Sequence, residues 1–204
     1  MLKAKDVFLR DFRESDIEKR IYWETVETEW QLWDAPWEYV DMTEEEREQE
    51  LKGYIATMRQ WAEEYKHFSD EQKRYAFQIA TNDVEQRYIG WVSSYKINSN
   101  FEYTRNKGFR AIGIDIPDTS VQGRGYSYQA LGLFIRYLLD HEENELFTQT
   151  WSGNERMIHI VEKIGFEECC RKVGIRSVDG QKYDGLTFRL NKEKFADYWN
   201  MQKE

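Results

Sequence analysis

Apolar and polar positions follow the two-residue period of a β-strand in several short stretches of this chain. Residues 7–12 alternate in this way, and successive side chains of a strand point to opposite faces of a sheet. Apolar runs bounded by turn signals, such as Asn82-Asp83 and Asp179-Gly180, predict further strands. These cover residues 74–81, 87–97, 111–116 and 145–151, and a closing hairpin of residues 166–173 and 182–190.

Between these strands, apolar positions recur at the spacing of an α-helix. Thr43 and Glu46 form the capping-box pattern that starts a helix, and apolar residues follow at helical spacing up to residue 65. Helices are also predicted over residues 16–25 (with Ser15 or Asp16 as N-cap), 126–140 and 154–164, the last ending at Gly165. The order β-α-α-β-β-β-α-β-α-β-β predicts an α/β (mixed α+β) protein with helices on both faces of a mixed sheet.

The length and composition fit one folded domain. The chain has 204 residues, of which 40 % are hydrophobic, and only two prolines and no Ser/Gly-rich linker interrupt it. Residues 1–204 are therefore predicted to form a single domain. No apolar run approaches the roughly 20 residues that span a bilayer, and the N-terminal stretch lacks the apolar core of a signal peptide. These features predict a cytoplasmic protein that does not associate with membranes.

The net charge of the chain indicates which kinds of molecule it is expected to bind. The net charge is −9, and nucleic-acid binding needs a basic surface, so nucleic acid is not expected as a partner. An acidic cleft would instead attract a cation. The histidines lie far apart in sequence, and the only cysteines are the neighbours Cys169 and Cys170, so no metal site is predicted.

A glycine-rich stretch, QGRGYS at residues 122–127, lies between a predicted strand and a predicted helix. Its glycines can adopt positive φ and bring the backbone close to a ligand. The first N–H groups of a helix have no partner within the helix, so they form an anion site that the helix dipole reinforces. Arg124 adds a cation and Ser127 a hydroxyl. The pattern indicates a pyrophosphate site, with an ordinary glycine-rich turn as the alternative.

Two segments, in this order, resemble signatures of the GNAT superfamily of N-acetyltransferases. The Q/R-x-x-G-x-G/A signature resembles Gln122, Gly125 and Ser127, and a later family pattern resembles SGNERMIHIVEKIGF at residues 152–166. The resemblance covers most of the chain. Two positions depart from the family pattern. Ser127 stands where the family has Gly or Ala, and Val161 stands where it often has the tyrosine that protonates the leaving thiolate.

The resemblance implies a GNAT-like fold with a mixed, mostly antiparallel central sheet, and acetyl-CoA as co-substrate without a metal. The pyrophosphate would lie on the glycine-rich loop, and the pantetheine arm would pair with the backbone of the preceding strand. Asn154 would contact the pantetheine or serve only as the N-cap of its helix. The cofactor-binding residues so implied are Ile114, Ile116, Gln122, Gly123, Arg124, Gly125, Tyr126, Ser127 and Asn154.

An ammonium acceptor must lose a proton before it attacks, so the reaction needs a base. Asp115 is the first candidate, because it lies in the cofactor strand between two isoleucines and its side chain would face away from theirs. Apolar neighbours would raise the pKa of Asp115 toward a useful value, and the alternative is a solvated or salt-bridged carboxylate. Glu102 and Asp34 are weaker candidates. Tyr126, Ser127 or bulk water would supply the acid.

The N-terminal third of the chain interleaves tryptophans with carboxylates. The resemblance implies that this region lines the acceptor site, where indole faces and carboxylates would attract an ammonium. The alternative is that these large residues simply pack in the core. The acceptor site so predicted comprises Trp33, Asp34, Trp37 and Glu38.

The resemblance leaves several activities open. The absent tyrosine and the segment TQTWSGNERMI resemble the RimJ/RimL-like branch, which implies a protein N-terminal or similar amine as acceptor. The sequence GIDI before the loop resembles aminoglycoside acetyltransferases, so an aminoglycoside or polyamine is the second acceptor class. A non-catalytic acyl-CoA-binding module is the third interpretation. The oligomeric state is left open, with a homodimer among the alternatives.

Overall fold

The structure, a computed structural model, describes residues 2–40, 42–141 and 144–202. Strands β1 to β8 comprise Leu2–Lys3, Val7–Arg10, Ala76–Thr81, Tyr88–Ile97, Phe109–Asp115, Leu146–Trp151, Phe166–Val178 and Gln181–Leu190. Helices α1 to α6 comprise Asp16–Thr25, Gln31–Asp34, Glu44–Lys66, Tyr126–Asp140, Glu155–Ile164 and Lys192–Met201. Two 3-10 turns, Pro36–Glu38 and Thr119–Val121, precede α3 and α4. Within these residues, no helix has both the length and the apolar character to cross a membrane.

The strands form one sheet in the order β1-β2-β3-β4-β5-β6-β8-β7. Neighbouring strands are antiparallel except β5 and β6, which are parallel. A parallel pair needs a long crossover connection, and α4 lies in the connection between these two strands. The predicted α/β class and the mixed, mostly antiparallel sheet are therefore confirmed.

One face of the sheet carries the main hydrophobic core. Alternate strand residues such as Val92 and Ile112 point to this face and pack with residues of α4 and α5. The middle of α4 is buried along its length, including Leu131 and Phe134. Full burial of one such side chain stabilises the fold by about 1.5–3 kcal/mol. This packing fixes α4, and with it the loop from which α4 begins.

The opposite face carries aromatic and charged residues beneath α1. Trp23 of α1 is fully buried, and its ring packs edge-on against Tyr88 at 4.9 Å between centroids and tilted against Trp91 at 6.1 Å. Helix α3 packs against α1, with Met58 buried beside Phe12. The prediction of helices on both faces of the sheet is thus confirmed. The second face differs from the main core because polar and charged side chains are buried among its aromatic residues.

The ends of two helices follow the predicted sequence signals. Thr43 accepts a hydrogen bond from the N–H of Glu46, and the Glu46 carboxylate accepts one from the N–H of Thr43, which completes the capping box. Asn154 caps α5 by accepting from the N–H of Met157 at 3.0 Å. Gly165 ends α5 with φ of 112°, a conformation that favours glycine.

Ser15, one of the two predicted caps, occupies the N-cap position of α1, but its side chain makes no capping hydrogen bond. Asp16 instead accepts two hydrogen bonds from the Arg10 guanidinium, at 2.6 and 2.7 Å, and one from the N–H of Arg13 at 2.9 Å. The buried ion pair with Arg10 therefore joins the start of α1 to β2.

Three elements have no counterpart in the sequence prediction, namely β1, α2 and α6. Strand β1 has two residues and α2 has four, which is too short for a periodic pattern. The predicted turn at Asp179 and Gly180 is present, with φ of 49° and 76°, but β7 extends to Val178. Cys169 and Cys170 are both free and lie in β7, where the register shifts.

Candidate active site

The two parallel strands separate after a short stretch of pairing. Residues 110–112 of β5 pair with residues 146–148 of β6. Beyond this point β5 continues to pair with β4, and β6 continues to pair with β8. The hydroxyl of Thr148 donates to the carbonyl of Ile112 at 2.9 Å where the strands part. The sheet therefore has a gap that joins its two faces.

A cavity of about 740 Å³ occupies this gap. Its lining comes from both faces of the sheet, with core residues such as Met157 and Ile160 on one side and residues of the N-terminal third on the other. The predicted site residues that line it are Trp33, Asp34, Ile114, Asp115, Ile116, Gln122, Gly123, Arg124, Gly125, Tyr126, Ser127 and Asn154.

The glycine-rich loop enters the cavity at the start of α4. Gly123 and Gly125 have φ of 72° and 75°, which explains why glycine occupies both positions. A Cβ at either position would meet no heavy atom within 4 Å, so the loop leaves open space in front of its backbone. The first N–H groups of α4, from Tyr126 onward, have no partner within the helix. This is the geometry of an anion cradle.

The loop also has a free cation. The Arg124 guanidinium makes no hydrogen bond or ion pair with any residue that the structure describes, and it is exposed at the cavity. The turn before the loop is fixed independently, because Asp118 accepts from both the N–H and the hydroxyl of Ser120. The residues present therefore fit a pyrophosphate at this end of the cavity.

The edge of β5 beyond the pairing with β6 presents main-chain groups to the gap. The carbonyl of Ile112 points toward β6, and main-chain groups two residues apart along a strand point the same way. The N–H and carbonyl of Ile114 therefore face the gap, where β6 no longer pairs with them. Ile116 lies one residue beyond the end of β5. An extended polar ligand could pair with this edge.

Asp115 lies on the opposite face from the main core, directly across from Trp91 of β4. Burial raises the pKa of the Asp115 carboxyl well above its ordinary value, and the charge of Asp34 raises it further. Arg20 and the indole N–H of Trp91 act in the other direction. The net effect is a carboxyl whose proton affinity is increased but which still faces the cavity.

Asp34 is the second carboxylate of the cavity and lies at the end of α2. Burial raises the pKa of Asp34 to about 6, and the charge of Glu38 adds to the shift. The Asp34 side chain lines the cavity, and it makes no hydrogen bond or ion pair within the described part of the chain. Burial also raises the pKa of the nearby Glu24, with Arg20 opposing it.

A buried arginine lies behind these carboxylates. Arg20 donates to the hydroxyls of Tyr54 at 2.9 Å and Tyr88 at 2.7 Å, and its guanidinium lies over the ring of Trp91. It is 5 % exposed. Because the cation is held by phenol oxygens and an indole face, it moderates the negative charge of the cavity without occupying it.

Asn154 and Trp33 are joined by a direct contact. The Asn154 amide donates to the carbonyl of Trp33 at 2.6 Å, while its oxygen caps α5. The indole N–H of Trp151 donates to the same carbonyl at 2.9 Å. The guanidinium of Arg156 lies 4.0 Å from the centre of the Trp33 ring, so one face of this indole already has a cation against it.

Three residues considered for the site lie outside the cavity lining. The Trp37 ring packs edge-on against Trp151 at 5.9 Å between centroids and lies beneath Arg176. Glu38 is exposed, and its charge raises the pKa of Asp34. Glu102 is exposed and forms an ion pair with Lys172 at 3.5 Å. The packing of Trp37 corresponds to the alternative interpretation given for the tryptophans.

The cavity is also lined by residues outside the predicted set. Trp30 belongs to the tryptophan-rich N-terminal region expected at the acceptor site, but it was not among the residues predicted there; others are Ser93, Tyr95, Gln149, Thr150, Tyr128, Arg156 and the exposed His159 of α5. Ser93 pairs with Gly113, so the alternation of β4 around Trp91 could have placed it on the same face as Asp115. The other residues reach the cavity because of the order of the strands in the sheet, and the sequence pattern does not predict that order.

Val161 is 1 % exposed and packs in the main core. It does not belong to the cavity lining. The position at which the resemblance expects a tyrosine is therefore structural in this chain. Other residues that carry a hydroxyl group line the cavity, among them Tyr95 and Tyr126.

Known proteins share this architecture at low sequence identity. An acetyltransferase (GNAT) domain family model matches residues 6–167. No curated protein sequence matches the chain. A GNAT-family acetyltransferase from Bacillus anthracis is similar with a TM-score of 0.62 at 14 % identity, over 94 % of this chain and 98 % of that one.

Two further solved structures have different acceptors in their names. RimL, a ribosomal α-N-protein acetyltransferase in complex with coenzyme A, is similar with a TM-score of 0.61 at 15 % identity, over 92 % of this chain and 96 % of that one. A mutant spermidine/spermine N-acetyltransferase, SpeG from Vibrio cholerae, is similar with a TM-score of 0.57 at 16 % identity, over 94 % and 98 %. Such identities show a shared fold and do not select an acceptor.

The family match covers well over half of the chain and includes the glycine-rich loop, the separating strands and α5. GNAT acetyltransferases use acetyl-CoA, and the loop of this chain has the backbone conformation, the open space and the cation that a pyrophosphate requires. The chain therefore belongs to the GNAT acetyltransferase family and is an acetyl-CoA-dependent N-acetyltransferase.

Proposed function

We propose that this enzyme acetylates the primary amine of a cationic acceptor, which enters the cavity from the side of Trp30 and Asp34. One observation carries the proposal. The carboxylates of Asp34 and Asp115 both face the cavity, and neither forms an ion pair with a residue that the structure describes. Unpaired carboxylates in a partly desolvated cavity attract an ammonium strongly.

The cavity has opposite charge preferences at its two ends. We assign the pyrophosphate of acetyl-CoA to loop 122–127, where the free N–H groups of α4 and Arg124 favour an anion. The main chain of Ile114 would hold the pantetheine arm at the edge of β5. Acetyl-CoA supplies a thioester carbonyl carbon that an amine can attack. The ammonium is attracted to the carboxylate end, so the two substrates would meet in the gap between β5 and β6.

We assign the role of base to Asp115. Its raised pKa makes the carboxylate a better proton acceptor from an ammonium than an ordinary aspartate. The proton passes from the ammonium nitrogen to the Asp115 carboxylate, the nitrogen then bonds to the thioester carbonyl carbon, and the carbon–sulfur bond breaks. The sulfur leaves as a thiolate, and the acylated nitrogen loses its second proton to give the amide. The thiolate takes up one proton and the other is released to water, so the products are the amide, CoA thiol and one proton.

We assign the proton for the thiolate to the hydroxyl of Tyr126. Ser127 also lines the cavity at this end, but a phenol is a far stronger acid than an alcohol. Val161 cannot take this role, because it has no hydroxyl and lies in the core. Water in the open cavity is the alternative donor.

Two acceptor classes fit this cavity. A protein N-terminal amine is the first, as implied by the RimJ/RimL resemblance of the segment around Asn154. A polyamine is the second, and the clustering of Glu24, Asp34 and Asp115 favours it, because the charge of Asp34 adds to burial in raising the pKa of both Asp115 and Glu24. Additional ammonium groups of a polyamine would relieve that repulsion. We further propose that the 204 residues act as one catalytic domain.

A panel of acceptors scored by release of free CoA thiol tests the proposal. The panel contains a peptide with a free N-terminal amine, spermidine and an aminoglycoside, and the control is the same peptide with its amine acetylated. We expect thiol release with at least one free amine and an acceptor KM that rises with salt, because screening weakens the attraction to Asp34. Binding of acetyl-CoA without thiol release from any amine would contradict the proposed acceptor class.

A further inference from the structure

The residues that bring Trp30 and Asp34 to the cavity form a short stretch, residues 27–34, which we call the acceptor segment. Its only regular element is α2, with four residues and no side-chain hydrogen bond at its N-cap. A single helical turn is not stable by itself, because the cost of ordering it exceeds the gain from one or two hydrogen bonds. The position of the acceptor segment must therefore depend on its contacts with the rest of the molecule.

One contact holds the C-terminal end of the segment to α5 and β6. The carbonyl of Trp33 belongs to the last turn of α2, whose carbonyls lack partners within the helix. It accepts from the Asn154 amide at 2.6 Å and from the Trp151 indole N–H at 2.9 Å. Because Asn154 also caps α5, a single side chain joins the start of one helix to the end of another.

A second contact holds the N-terminal end of the segment to the turn that precedes the glycine-rich loop. Glu27 accepts from both the N–H and the hydroxyl of Thr119, the former at 2.9 Å, with one carboxylate oxygen. Its other oxygen accepts from the indole N–H of Trp23 at 3.2 Å. The Glu27 carboxylate therefore has protein donors on both oxygens, unlike Asp34.

Together these contacts attach the acceptor segment to the elements on either side of the cofactor end of the cavity. Thr119 precedes loop 122–127, and Asn154 precedes α5. We propose that Glu27 and Asn154 are positioning residues that hold the acceptor segment so that Asp34 faces the acetyl group. This inference rests on the proposed function, in which the acceptor amine binds beside Asp34.

The proposal gives Asn154 a different role from the pantetheine contact implied by the sequence resemblance. Its oxygen is used by Met157 and its amide by Trp33. If Asn154 acts through the acceptor segment, its loss affects the acceptor and spares acetyl-CoA. If it contacts the pantetheine, the reverse holds. The two roles therefore separate in binding experiments.

The variant Asn154→Asp makes this separation with minimal change. An aspartate can still accept from the N–H of Met157 and is a favoured N-cap, so α5 is retained. It cannot donate to the Trp33 carbonyl and would repel it. We expect the acceptor KM to rise by about fivefold or more, in line with the loss of one buried hydrogen bond. The dissociation constant of acetyl-CoA, measured by calorimetry, should not change. Trp151→Phe removes the other donor and should act in the same direction.

Glu27 provides a matched pair of variants at the other end. Glu27→Gln keeps an oxygen that can accept from Thr119, whereas Glu27→Ala removes it. We expect the alanine variant to raise the acceptor KM and the glutamine variant to restore it. If Glu27 had only a structural role, Glu27→Ala would be less stable than Glu27→Gln, but the two variants would have the same ratio of KM to kcat.

Hydrogen exchange gives a readout that needs no acceptor. The amide groups of residues 31–34 donate to carbonyls within the acceptor segment, so Asn154→Asp should speed their exchange while loop 122–127 keeps its protection by CoA. Weakened CoA binding with unchanged exchange in the segment would overturn the proposal. If the acceptor KM is unchanged in Asn154→Asp but raised in Asp34→Asn, the positioning role of Asn154 is refuted and the proposed acceptor site beside Asp34 is retained. Unchanged KM in both variants would refute the proposed acceptor site itself.

Discussion

Replacement of Asp115 by asparagine tests the proposed base with little change in shape. The amide has nearly the volume of the carboxyl, and its oxygen can still accept from the Trp91 indole, but it cannot take a proton from an ammonium. Removal of a positioned base lowers turnover by about hundredfold or more, which corresponds to ~2.7 kcal/mol in activation free energy. Acetyl-CoA affinity should be unchanged, because we assign it to loop 122–127 and the main chain of β5.

The pH profile gives the same prediction a second readout. Burial and the charge of Asp34 both raise the pKa of Asp115. Wild-type activity should therefore increase as pH rises through this elevated pKa, and the acid limb should be lost in Asp115→Asn. Asp34→Asn removes one of the charges that raise the pKa of Asp115. Its acid limb should move to lower pH.

The raised pKa also predicts a change in stability with a definite sign. A carboxyl with a higher pKa in the folded state contributes stability below its unfolded pKa, about 3.9 for aspartate, and loses it as pH rises through the folded pKa. At neutral and higher pH the wild-type chain therefore carries a penalty that the asparagine variant lacks. Asp115→Asn should have the higher melting temperature there, and the difference should disappear at about pH 4.

The assay combines thiol release across the pH range with thermal unfolding of the same variants. Near-normal turnover in folded Asp115→Asn, with the acid limb in place, would remove this residue from the mechanism. A melting temperature that falls at neutral pH would show that the carboxylate is stabilised by a partner. In that case the physical argument for its raised pKa would be wrong.

Two further predictions concern the ends of the cavity. Gly125→Asp should weaken acetyl-CoA binding by more than tenfold, about 1.4 kcal/mol, because its carboxylate would project toward the open space assigned to the pyrophosphate. Calorimetry measures this, with Gly180→Asp as control, since Gly180 has a similar φ of 76° in the β7–β8 turn; equal losses in both variants would contradict the assignment. Trp33→Leu should raise the acceptor KM more than Trp37→Leu, because only Trp33 lines the cavity. Trp37→Leu should instead lower the free energy of unfolding by about 1–2 kcal/mol; the opposite order of KM values would place the acceptor near Trp37.

Parts of the site could be predicted from the sequence because they depend on local backbone geometry. Gly123 and Gly125 adopt positive φ, which few other residues tolerate, so their pattern marks the loop directly. The orientation of Asp115 away from its isoleucine neighbours follows from the two-residue period of a strand. The cap of α5 by Asn154 has the same local origin.

The remaining parts depend on contacts between distant segments. The contact of Asn154 with Trp33 joins residues 121 positions apart, and no local pattern encodes it. Ser15 occupies the N-cap position of α1 without a side-chain capping hydrogen bond, and the ion pair between Arg10 and Asp16 fixes the start of the helix through a tertiary contact instead. Trp33 and Trp37 are the same residue type and lie four positions apart, so the sequence does not distinguish them. In the fold, Trp37 packs against Trp151, whereas Trp33 lines the cavity.

The gap between β5 and β6 suggests how one scaffold can serve many acceptors. The end that we assign to acetyl-CoA is built from main-chain groups and two glycines, so it depends on the path of the chain more than on the identity of side chains. The end that we assign to the acceptor is built from side chains on a short segment held at a few points. Evolution could therefore exchange the amine specificity without rebuilding the acetyl donor site. A fold shared at 14 to 16 % identity is the expected outcome of such separate constraints.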